Sequence, residues 1–299
     1  MYEKHFGLRA RPFSILPDPH FLYLGRHHQI AYAMLEYGLV GQAGFTVITG
    51  AIGSGKTTLV QKLVNSVPGM PISLGLISTT SISSGTLMEW IMMAFGQPFE
   101  GLSYPRLHRD FAEFLLRQAN TGRRVVLVID EAQNLKAERL EELRMLSNLN
   151  VDRMLLQLVL VGQPELRQIL REPGMRQLAQ RVSSDFHLPP LARTDAVPYF
   201  EHRITIAGGR SGIFTRPAMY QIFDYARGTP RSINIVADKC LVYGFGDGVH
   251  KIGRRIVGRV IADIDKYGIY NPSDNPLSVT PGKTISTTLD LATPDPAVS

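Results

Sequence analysis

Apolar residues in the first two-thirds of the chain fall into short continuous runs that are separated by amphipathic stretches. Short runs bounded by turn residues predict strands that are buried on both faces. The five runs are 45–49 (FTVIT), 72–77 (ISLGLI), 124–130 (RVVLVID), 155–162 (LLQLVLVG) and 184–188 (SDFHL). Helical spacing occupies the stretch after residue 56 and the segments 86–95, 107–119, 138–149 and 164–172.

Strands that alternate with helices favour right-handed crossovers, because parallel strands need such connections. We therefore predict an α/β fold with a five-stranded parallel sheet that carries helices on both faces. The strand pattern stops at about residue 194, and four helical segments with Gly or Pro at their boundaries follow. These segments are 195–208, 216–228, 230–246 and 253–268, and they predict a C-terminal all-helical lid.

The same patterns divide the chain into four predicted parts. Residues 45–192 form the α/β core and residues 193–268 form the helical lid. Residues 1–44 are expected to supply an N-terminal segment and a helix that pack near the nucleotide site. Residues 269–299 are rich in Pro, Ser and Thr and lack the apolar residues of a core, so we predict a disordered polar tail.

The loop after the first predicted strand matches G-x-x-x-x-G-K-[ST], the pattern of phosphate-binding loops between a strand and a helix. Its glycines let backbone N–H groups turn toward phosphate oxygens, and the helix N-terminus adds positive potential. We expect Lys56 to reach the β- and γ-phosphates and Thr57 to bind Mg²⁺. The predicted nucleotide-binding residues of the loop are Gly50, Ala51, Ile52, Gly53, Ser54, Gly55, Lys56, Thr57 and Thr58.

Two adjacent carboxylates follow the third predicted strand. Asp130 is expected at the sheet edge beside the loop, where it would bind the nucleotide's Mg²⁺ together with Thr57. Glu131 could act as the base that polarises an attacking water, a role that a kinase does not need. A GTPase would also carry an N-K-x-D-type segment, and the chain has none. The pair therefore favours ATP hydrolysis, although an acidic pair can also simply end a strand.

Composition is that of an ordinary globular protein, with 44% hydrophobic and 19% charged residues in 299. The lone cysteine, Cys240, excludes an internal disulfide and is expected to be buried. His27 and His28 lack a cluster of partner ligands and are interpreted as a solvated pair. The chain begins without a secretory signal and shows no transmembrane segment, so we expect a cytoplasmic protein.

The net charge of +6 is concentrated in residues 202–266, which hold eleven Lys and Arg against five Asp and Glu. A basic region can face nucleic acid, an acidic partner or anionic lipid. It can also be a solvated helical face with arginines that turn toward the nucleotide. We favour the second interpretation, because aromatic residues do not alternate with the basic ones.

Several motifs occur in the order typical of one family. They are GAIGSGKTT (50–58), VIDEAQNL (128–135), VLVGQPELR (159–167), LAQRVSSDFHLPPL (178–191) and GTPRSINIVADKCL (228–241). With these motifs the chain resembles the ExeA/GspA-type AAA+ ATPases over residues 1–268. The resemblance is closest to the secretion ATPases of exosortase (PEP-CTERM) and exopolysaccharide loci. It implies a P-loop NTPase fold of the AAA+ type, with ATP and Mg²⁺ as ligands.

The resemblance also implies roles for residues outside the phosphate loop. Gln163 matches the sensor-1 position, which senses the γ-phosphate and orients water. Arg231 matches sensor 2, which reaches from the lid onto the γ-phosphate. Arg181 resembles the arginine finger that one subunit donates to its neighbour, and Arg176 is the rival candidate. Together with Lys56 and Glu131, Gln163, Arg181 and Arg231 complete the predicted catalytic set.

Other positions are less clearly matched. Phe13 and the segment 17–19 occur where the family lines its adenine pocket. Ser78 and Thr79 end the second strand where many relatives carry an Asn that restrains the catalytic glutamate. Relatives of the ExeA type continue into a transmembrane helix and a peptidoglycan-binding domain, and a polar tail stands there in this chain.

Three functions remain open on the sequence. The first is an oligomeric ATPase, a ring or helix with shared sites, that drives an envelope-associated secretion or exopolysaccharide assembly. Such a protein would lie at the inner membrane through protein partners. The second is a DNA-binding regulator, because more distant similarity extends to transposition ATPases of the MuB and TnsC type. The third is a nucleotide-gated scaffold without turnover, which the complete set of Asp130, Glu131 and Arg231 disfavours.

Overall fold

The computed structural model describes residues 1–41, 43–79, 85–150 and 153–269. It contains one parallel five-stranded sheet in the order β2-β3-β4-β1-β5. The strands are β1 (Phe45–Gly50), β2 (Ile72–Ser78), β3 (Arg124–Asp130), β4 (Leu156–Gly162) and β5 (Val182–Leu188). The predicted sheet is therefore confirmed. The predicted tail lies outside the described residues, except for residue 269.

Helices connect the strands and cover both faces of the sheet. They are α2 (Arg26–Val40), α3 (Lys56–Ser66), α4 (Leu87–Ala94), α5 (Tyr104–Asn120), α6 (Ala137–Leu146), α7 (Pro164–Arg171) and α8 (Arg176–Ala179). Because side chains alternate along a strand, β3 serves two cores. Leu127 and Ile129 pack with α4, α5 and α6, whereas Val126 and Val128 pack with α2 and α3.

The fifth strand begins two residues before its predicted start. Val182 pairs with Phe45, and after a register shift Ser184 pairs with Thr46. The polar serines in this part of the strand interrupt the apolar pattern, so the pattern does not predict it. Ser184 is nevertheless 2% exposed, and its hydroxyl donates to the Met34 carbonyl of α2 at 3.3 Å. A buried hydroxyl is tolerated in a strand once it has such a partner.

The C-terminal region is helical, as predicted. Its helices are α9 (Ala196–Ile206), α10 (Arg216–Tyr225), α11 (Pro230–Gly246) and α12 (Arg254–Tyr267). Proline occupies the first turn of both α10 and α11, where its missing N–H has no helical partner to lose. Cys240 is fully buried in the core of these helices. The exact domain boundaries stay a prediction.

The start of the chain packs with the helical region. Tyr2 in α1 (Tyr2–His5), Phe6 and Phe13 belong to the same buried cluster as the apolar faces of α9–α12. Phe13 lies against Phe200 and Phe214, with ring centroids 5.2 and 5.6 Å away. The N-terminal segment is therefore part of the helical core before the chain reaches α2 on the sheet.

A buried arginine fixes this segment in place. Arg203 of α9 is 8% exposed and donates to the backbone carbonyls of Pro12 at 2.5 Å, Ser14 at 3.2 Å and Phe21 at 3.4 Å. The Asn234 side chain of α11 also donates to Ser14 O at 3.3 Å. One guanidinium thus satisfies three carbonyls of a segment that has no strand or helix partner for them.

We expect Arg203→Met to lower the free energy of unfolding by about 2–4 kcal/mol, because it leaves buried carbonyls without donors. Urea denaturation of the two chains measures the difference. Arg193→Met is the control, since Arg193 pairs with Asp224 at an exposed site and its loss should change stability little. Equal effects of the two substitutions would contradict the bracing role of Arg203.

Within the described ranges, no helix combines the length and the apolar character that a membrane span requires.

Candidate nucleotide-binding site

The phosphate loop has a backbone that only glycine adopts easily. The loop joins the end of β1 to the start of α3, and Gly53 and Gly55 have φ angles of +76° and +99°. A Cβ on Gly50 would lie 2.7 Å from the Leu188 carbonyl oxygen, and one on Gly53 would lie 2.5 Å from Arg231 Cβ. The loop is therefore closed to side chains at the positions where backbone N–H groups would cradle a phosphate.

Lys56 is the first residue of α3 and is 5% exposed. Its ammonium donates to the loop carbonyls of Gly50 at 2.7 Å and Ala51 at 3.0 Å. Burial lowers the pKa of Lys56, and the nearby carboxylates of Glu131 and Asp130 oppose this shift. A buried ammonium of this kind gains from an anionic ligand, because the ligand favours its charged form.

Asp130 lies at the carboxyl end of β3 beside the loop. Its Oδ2 accepts a hydrogen bond from the Thr57 hydroxyl at 2.8 Å, and its Oδ1 accepts one from the Glu131 backbone N–H at 2.9 Å. Burial raises the pKa of the Asp130 carboxyl, and these two hydrogen bonds oppose the shift. A hydroxyl and a carboxylate in contact form the donor pair that hard divalent cations prefer.

Glu131 follows Asp130 in a left-handed backbone conformation, with φ of 55°. This turn directs the chain out of the sheet, and Glu131 lines the cleft above the loop. Its Oε2 accepts hydrogen bonds from the side-chain amides of Gln133 at 2.6 Å and Gln163 at 3.2 Å. Gln163, which follows β4, therefore contacts the Glu131 carboxylate directly.

The lid contributes Arg231 in the first turn of α11. Its backbone N–H donates to the Gly53 carbonyl at 3.2 Å, and the residue lines the same cleft as Lys56 and Thr57. Pro230 and Asn234 of the same helix also line the cleft. The helical region thus covers the phosphate loop directly.

The opposite wall of the cleft is the N-terminal segment. Ser14, Ile15, Leu16, Pro17, Asp18, Phe21, Leu22 and Tyr23 line it. Phe13, which the resemblance placed near the adenine, does not line the cleft, because its ring is buried among Phe200 and Phe214. Pro17 and Asp18 do line it, beside two exposed apolar side chains, Ile15 and Leu16.

Both candidate finger arginines lie away from the lining of this cleft. Arg176 begins α8 and is exposed. Arg181 lies between α8 and β5, and its guanidinium donates to Ser147 Oγ, to Asn148 Oδ1 and to the Arg144 carbonyl. These contacts hold Arg181 against the end of α6 in its own chain.

The interpretation of His27 and His28 as a solvated pair was wrong for His28. This residue is 2% exposed, lines the cleft, and places Nε2 2.9 Å from the Ser54 carbonyl oxygen of the loop. Burial lowers the pKa of His28, which favours the neutral ring. The helical spacing of His28, Ala31 and Leu35 on the buried face of α2 was the signal that could have revealed this.

The residues present fit a nucleotide with its divalent cation. The loop is shaped for close backbone approach, and Ser54 has a buried hydroxyl with no partner in the ranges that the structure covers. Thr57 and Asp130 supply hard oxygen donors at the loop. The described residues contain no group of three or more His, Cys, Asp and Glu that could hold a metal alone. A cation here would need ligands from the nucleotide, as Mg²⁺ usually does.

The chain is similar in sequence to known proteins. Residues 40–170 match the AAA domain family. General secretion pathway protein A of Aeromonas hydrophila is 40% identical over 254 residues, which is 84% of this chain and 46% of the relative. The chain therefore spans about half the length of that curated relative.

Solved structures share the fold at low sequence identity. The ORC2 protein of Aeropyrum pernix, in ADPNP–ADP complexes, is 18% identical with a TM-score of 0.65, over 85% of this chain and 71% of that chain. Cdc6p of Pyrobaculum aerophilum is 16% identical with a TM-score of 0.64, over 88% and 71%. The RuvB Holliday junction branch migration motor of Thermotoga maritima is 17% identical with a TM-score of 0.53, over 81% and 70%.

These likenesses confirm the predicted fold, a parallel sheet of the AAA+ P-loop type with a C-terminal helical region. The AAA domain match and the relative also support the prediction that the chain is an ATPase. The phosphate loop and the carboxylates after β3 lie within residues 40–170, which match the AAA domain family. The chain is an ExeA/GspA-like protein of the AAA+ type.

Proposed function

We propose that the chain binds ATP with Mg²⁺ and hydrolyses it to ADP and phosphate. One observation carries the proposal: Lys56, Thr57, Glu131 and Arg231, which come from three separate elements, line a single cleft over a glycine loop. Asp130 joins them through its hydrogen bond to Thr57. A chance glycine turn would not gather an ammonium, a cation-binding pair, a base and a second cation on one side.

Each residue has a defined task in this proposal. The loop amides and Lys56 hold the phosphates, and Thr57 and Asp130 hold the cation, which when bound offsets the negative charge of the phosphates. Glu131 takes the proton from the attacking water, and Gln163 orients that water beside the γ-phosphate. Arg231 stabilises the charge on the γ-phosphate from the lid side.

The biological role in the proposal is work on an envelope-associated assembly, either a secretion system or an exopolysaccharide exporter. The name of the similar Aeromonas hydrophila protein, general secretion pathway protein A, supports the secretion reading. The chain would act as a homo-oligomer whose sites are shared between subunits, as a cytoplasmic protein that partners hold at the inner membrane. Gel filtration of two fractions of the cells, the soluble fraction and the detergent-solubilised membrane fraction, tests that location.

A second candidate function is ATP-dependent DNA binding. The specific observation in its favour is that Lys251, Arg254 and Arg255 are exposed together at the start of α12. Fluorescence anisotropy with duplex DNA at 50 and 200 mM salt tests it, since neutralising Z phosphates gives a slope of about −0.9Z in log K against log salt. If the slope is steep and the double substitution Arg254→Ala, Arg255→Ala reduces it, DNA binding is favoured over the first function.

Nucleotide binding itself is tested by stability. We expect Mg-ATP at about 100 times its dissociation constant to raise the free energy of unfolding by roughly 2.7 kcal/mol. Lys56→Ala should remove most of this stabilisation, because it removes the buried cation that faces the phosphates. Thermal melts with and without Mg-ATP measure the shift.

Lys62→Ala is the matched control for that experiment, since Lys62 lies on the same helix and outside the cleft lining. It should keep the shift of the parent chain. A parent chain whose melting temperature does not change with Mg-ATP would refute nucleotide binding at this site.

A further inference from the structure

The Glu131 carboxylate is held by one of its two oxygens. Both side-chain amides donate to Oε2, from Gln133 at 2.6 Å and from Gln163 at 3.2 Å. This arrangement fixes the rotation of the carboxylate and turns Oε1 away from the amides. A general base needs such fixed geometry, because proton transfer depends on hydrogen-bond distance and direction to the water.

Gln133 uses both ends of its amide. Its Nε2 donates to Glu131, and its Oε1 accepts the backbone N–H of Gln163 at 2.9 Å. The residue lies in the 3₁₀ turn Ala132–Asn134, directly after Glu131. Gln133 therefore joins the end of β3 to the end of β4, and it connects the proposed base to the residue at the sensor-1 position.

The backbone at the end of β4 packs closely against the Gln133 amide. A Cβ on Gly162 would lie 2.9 Å from Gln133 Oε1. The last residue of β4 thus has to be small so that the amide can reach the Gln163 N–H. The close approach shows that the bridge is packed into the sheet edge.

The end of β2 holds Glu131 in a different way. The Thr79 hydroxyl donates to the backbone carbonyl of Glu131 at 2.5 Å and lies 3.3 Å from that of Asp130. Thr79 therefore fixes the backbone of the acidic pair, whereas Gln133 and Gln163 fix the carboxylate. The two tasks are carried by residues that follow different strands.

We propose that Gln133 is the positioning residue for the Glu131 carboxylate and that it couples this carboxylate to Gln163. The inference rests on the proposed function, since it assigns a part in the hydrolysis step. Gln163 is linked to the base twice, directly through its own side-chain amide and through Gln133, which accepts the Gln163 backbone N–H. Gln133 does not line the cleft and reaches it through Glu131.

Gln133→Met tests the proposal, because methionine keeps the length of the side chain and loses both hydrogen bonds. We expect kcat for ATP hydrolysis to fall about 10–100-fold, which is less than the loss expected for removal of the base itself. KM for ATP and the affinity for a fluorescent ATP analogue should stay within about twofold, since the phosphate contacts remain intact.

The matched control is Gln97→Met. Gln97 also uses both ends of its amide, donating to the Phe95 carbonyl at 3.1 Å and accepting from Arg117 at 3.4 Å, and it lies outside the cleft lining. Gln97→Met should leave kcat unchanged. If the methionine variant of Gln133 does not fold, Gln133→Leu replaces it, since leucine also lacks both hydrogen-bonding groups.

A double variant separates positioning from a general loss of structure. In the Glu131→Gln background, Gln133→Met should change kcat by less than about twofold, because no base remains to be positioned. A full additional loss in that background, or an unchanged kcat in the single variant, would overturn the role of Gln133. A parent chain without ATP hydrolysis would overturn the proposed function and this inference together. If the parent chain is active, Glu131→Gln abolishes this activity and Gln133→Met leaves it unchanged, only the inference is refuted.

Discussion

We expect the Glu131→Gln variant to bind Mg-ATP as the parent chain does and to hydrolyse it about 10²–10⁴-fold more slowly. Glutamine keeps the size of the side chain and cannot take a proton from water. The cation pair, Thr57 and Asp130, is untouched by the change, so the phosphates keep their ligands. Steady-state phosphate release gives kcat, and titration with a fluorescent ATP analogue gives the affinity.

Two further substitutions frame this result. Asp130→Asn should weaken the dependence of ATP affinity on Mg²⁺ as well as turnover, because it removes the carboxylate beside Thr57. Glu138→Gln should leave both unchanged, since Glu138 is exposed in the first turn of α6. Normal turnover by Glu131→Gln would show that another group acts as the base.

Mixing two inactive variants restores ATPase activity if neighbouring subunits share one site. Arg181→Ala subunits keep their phosphate loop, and Lys56→Ala subunits keep their finger. In a random ring made from equal amounts, about a quarter of the interfaces would pair an intact loop with an intact finger. Arg181→Ala alone should be slower than the parent by as much as about 10³–10⁵-fold, the range found for arginine fingers in other NTPases.

The position of Arg181 motivates this experiment. The residue lies outside the cleft lining of its own chain and is held at the end of α6 by Ser147 and Asn148. Because the side chain is held away from the cleft of its own chain, its proposed role is to act on the nucleotide of a neighbouring subunit. Activity per subunit should accordingly rise with protein concentration, and ATP should favour the oligomer.

Arg176→Ala decides between the two candidate arginines. It replaces Arg181→Ala in the same mixing experiment, and the variant that is inactive alone and rescued by Lys56→Ala subunits identifies the finger. A monomer in ATP by light scattering, with activity independent of concentration and no rescue by either arginine variant, would refute the shared site. In that case the contacts of Arg181 with Ser147 and Asn148 would be structural only.

The parts of the site that could be predicted from the sequence are those set by short-range chemistry. The glycines of the loop have to allow positive φ at Gly53 and Gly55, so their spacing is visible in the chain. Asp130 ends a continuous apolar run, so its place at the sheet edge follows from the run itself. Proline and glycine at their ends make the four lid helices recognisable in the sequence.

Contacts between distant segments were not predictable in the same way. The partners of Glu131 come from the next turn and from β4, and nothing in the spacing of Gln133 and Gln163 distinguishes these amides from solvated ones. The bridge from Arg203 to the N-terminal carbonyls joins residues about 190 positions apart. Such contacts depend on how the two cores pack, which local periodicity does not encode.

Phe21, Leu22, Tyr23 and Leu24 lie where the chain passes from the helical core to the sheet, and they point alternately into the two. Phe21 and Tyr23 pack against the helical core, whereas Leu22 and Leu24 pack against the sheet core. The chain passes back from the sheet to the helical region near Asp195. This second crossing lies next to the first, since the Tyr23 hydroxyl donates to Asp195 at 3.1 Å.

The two crossings lie next to each other and are joined by this hydrogen bond, which braces the connection between the helical region and the sheet. These four side chains are half-buried, so exposing one of them would cost less than the about 1.5–3 kcal/mol of a fully buried apolar side chain. An opening of the cleft that separates the helical region from the sheet would therefore disrupt the packing of these four residues.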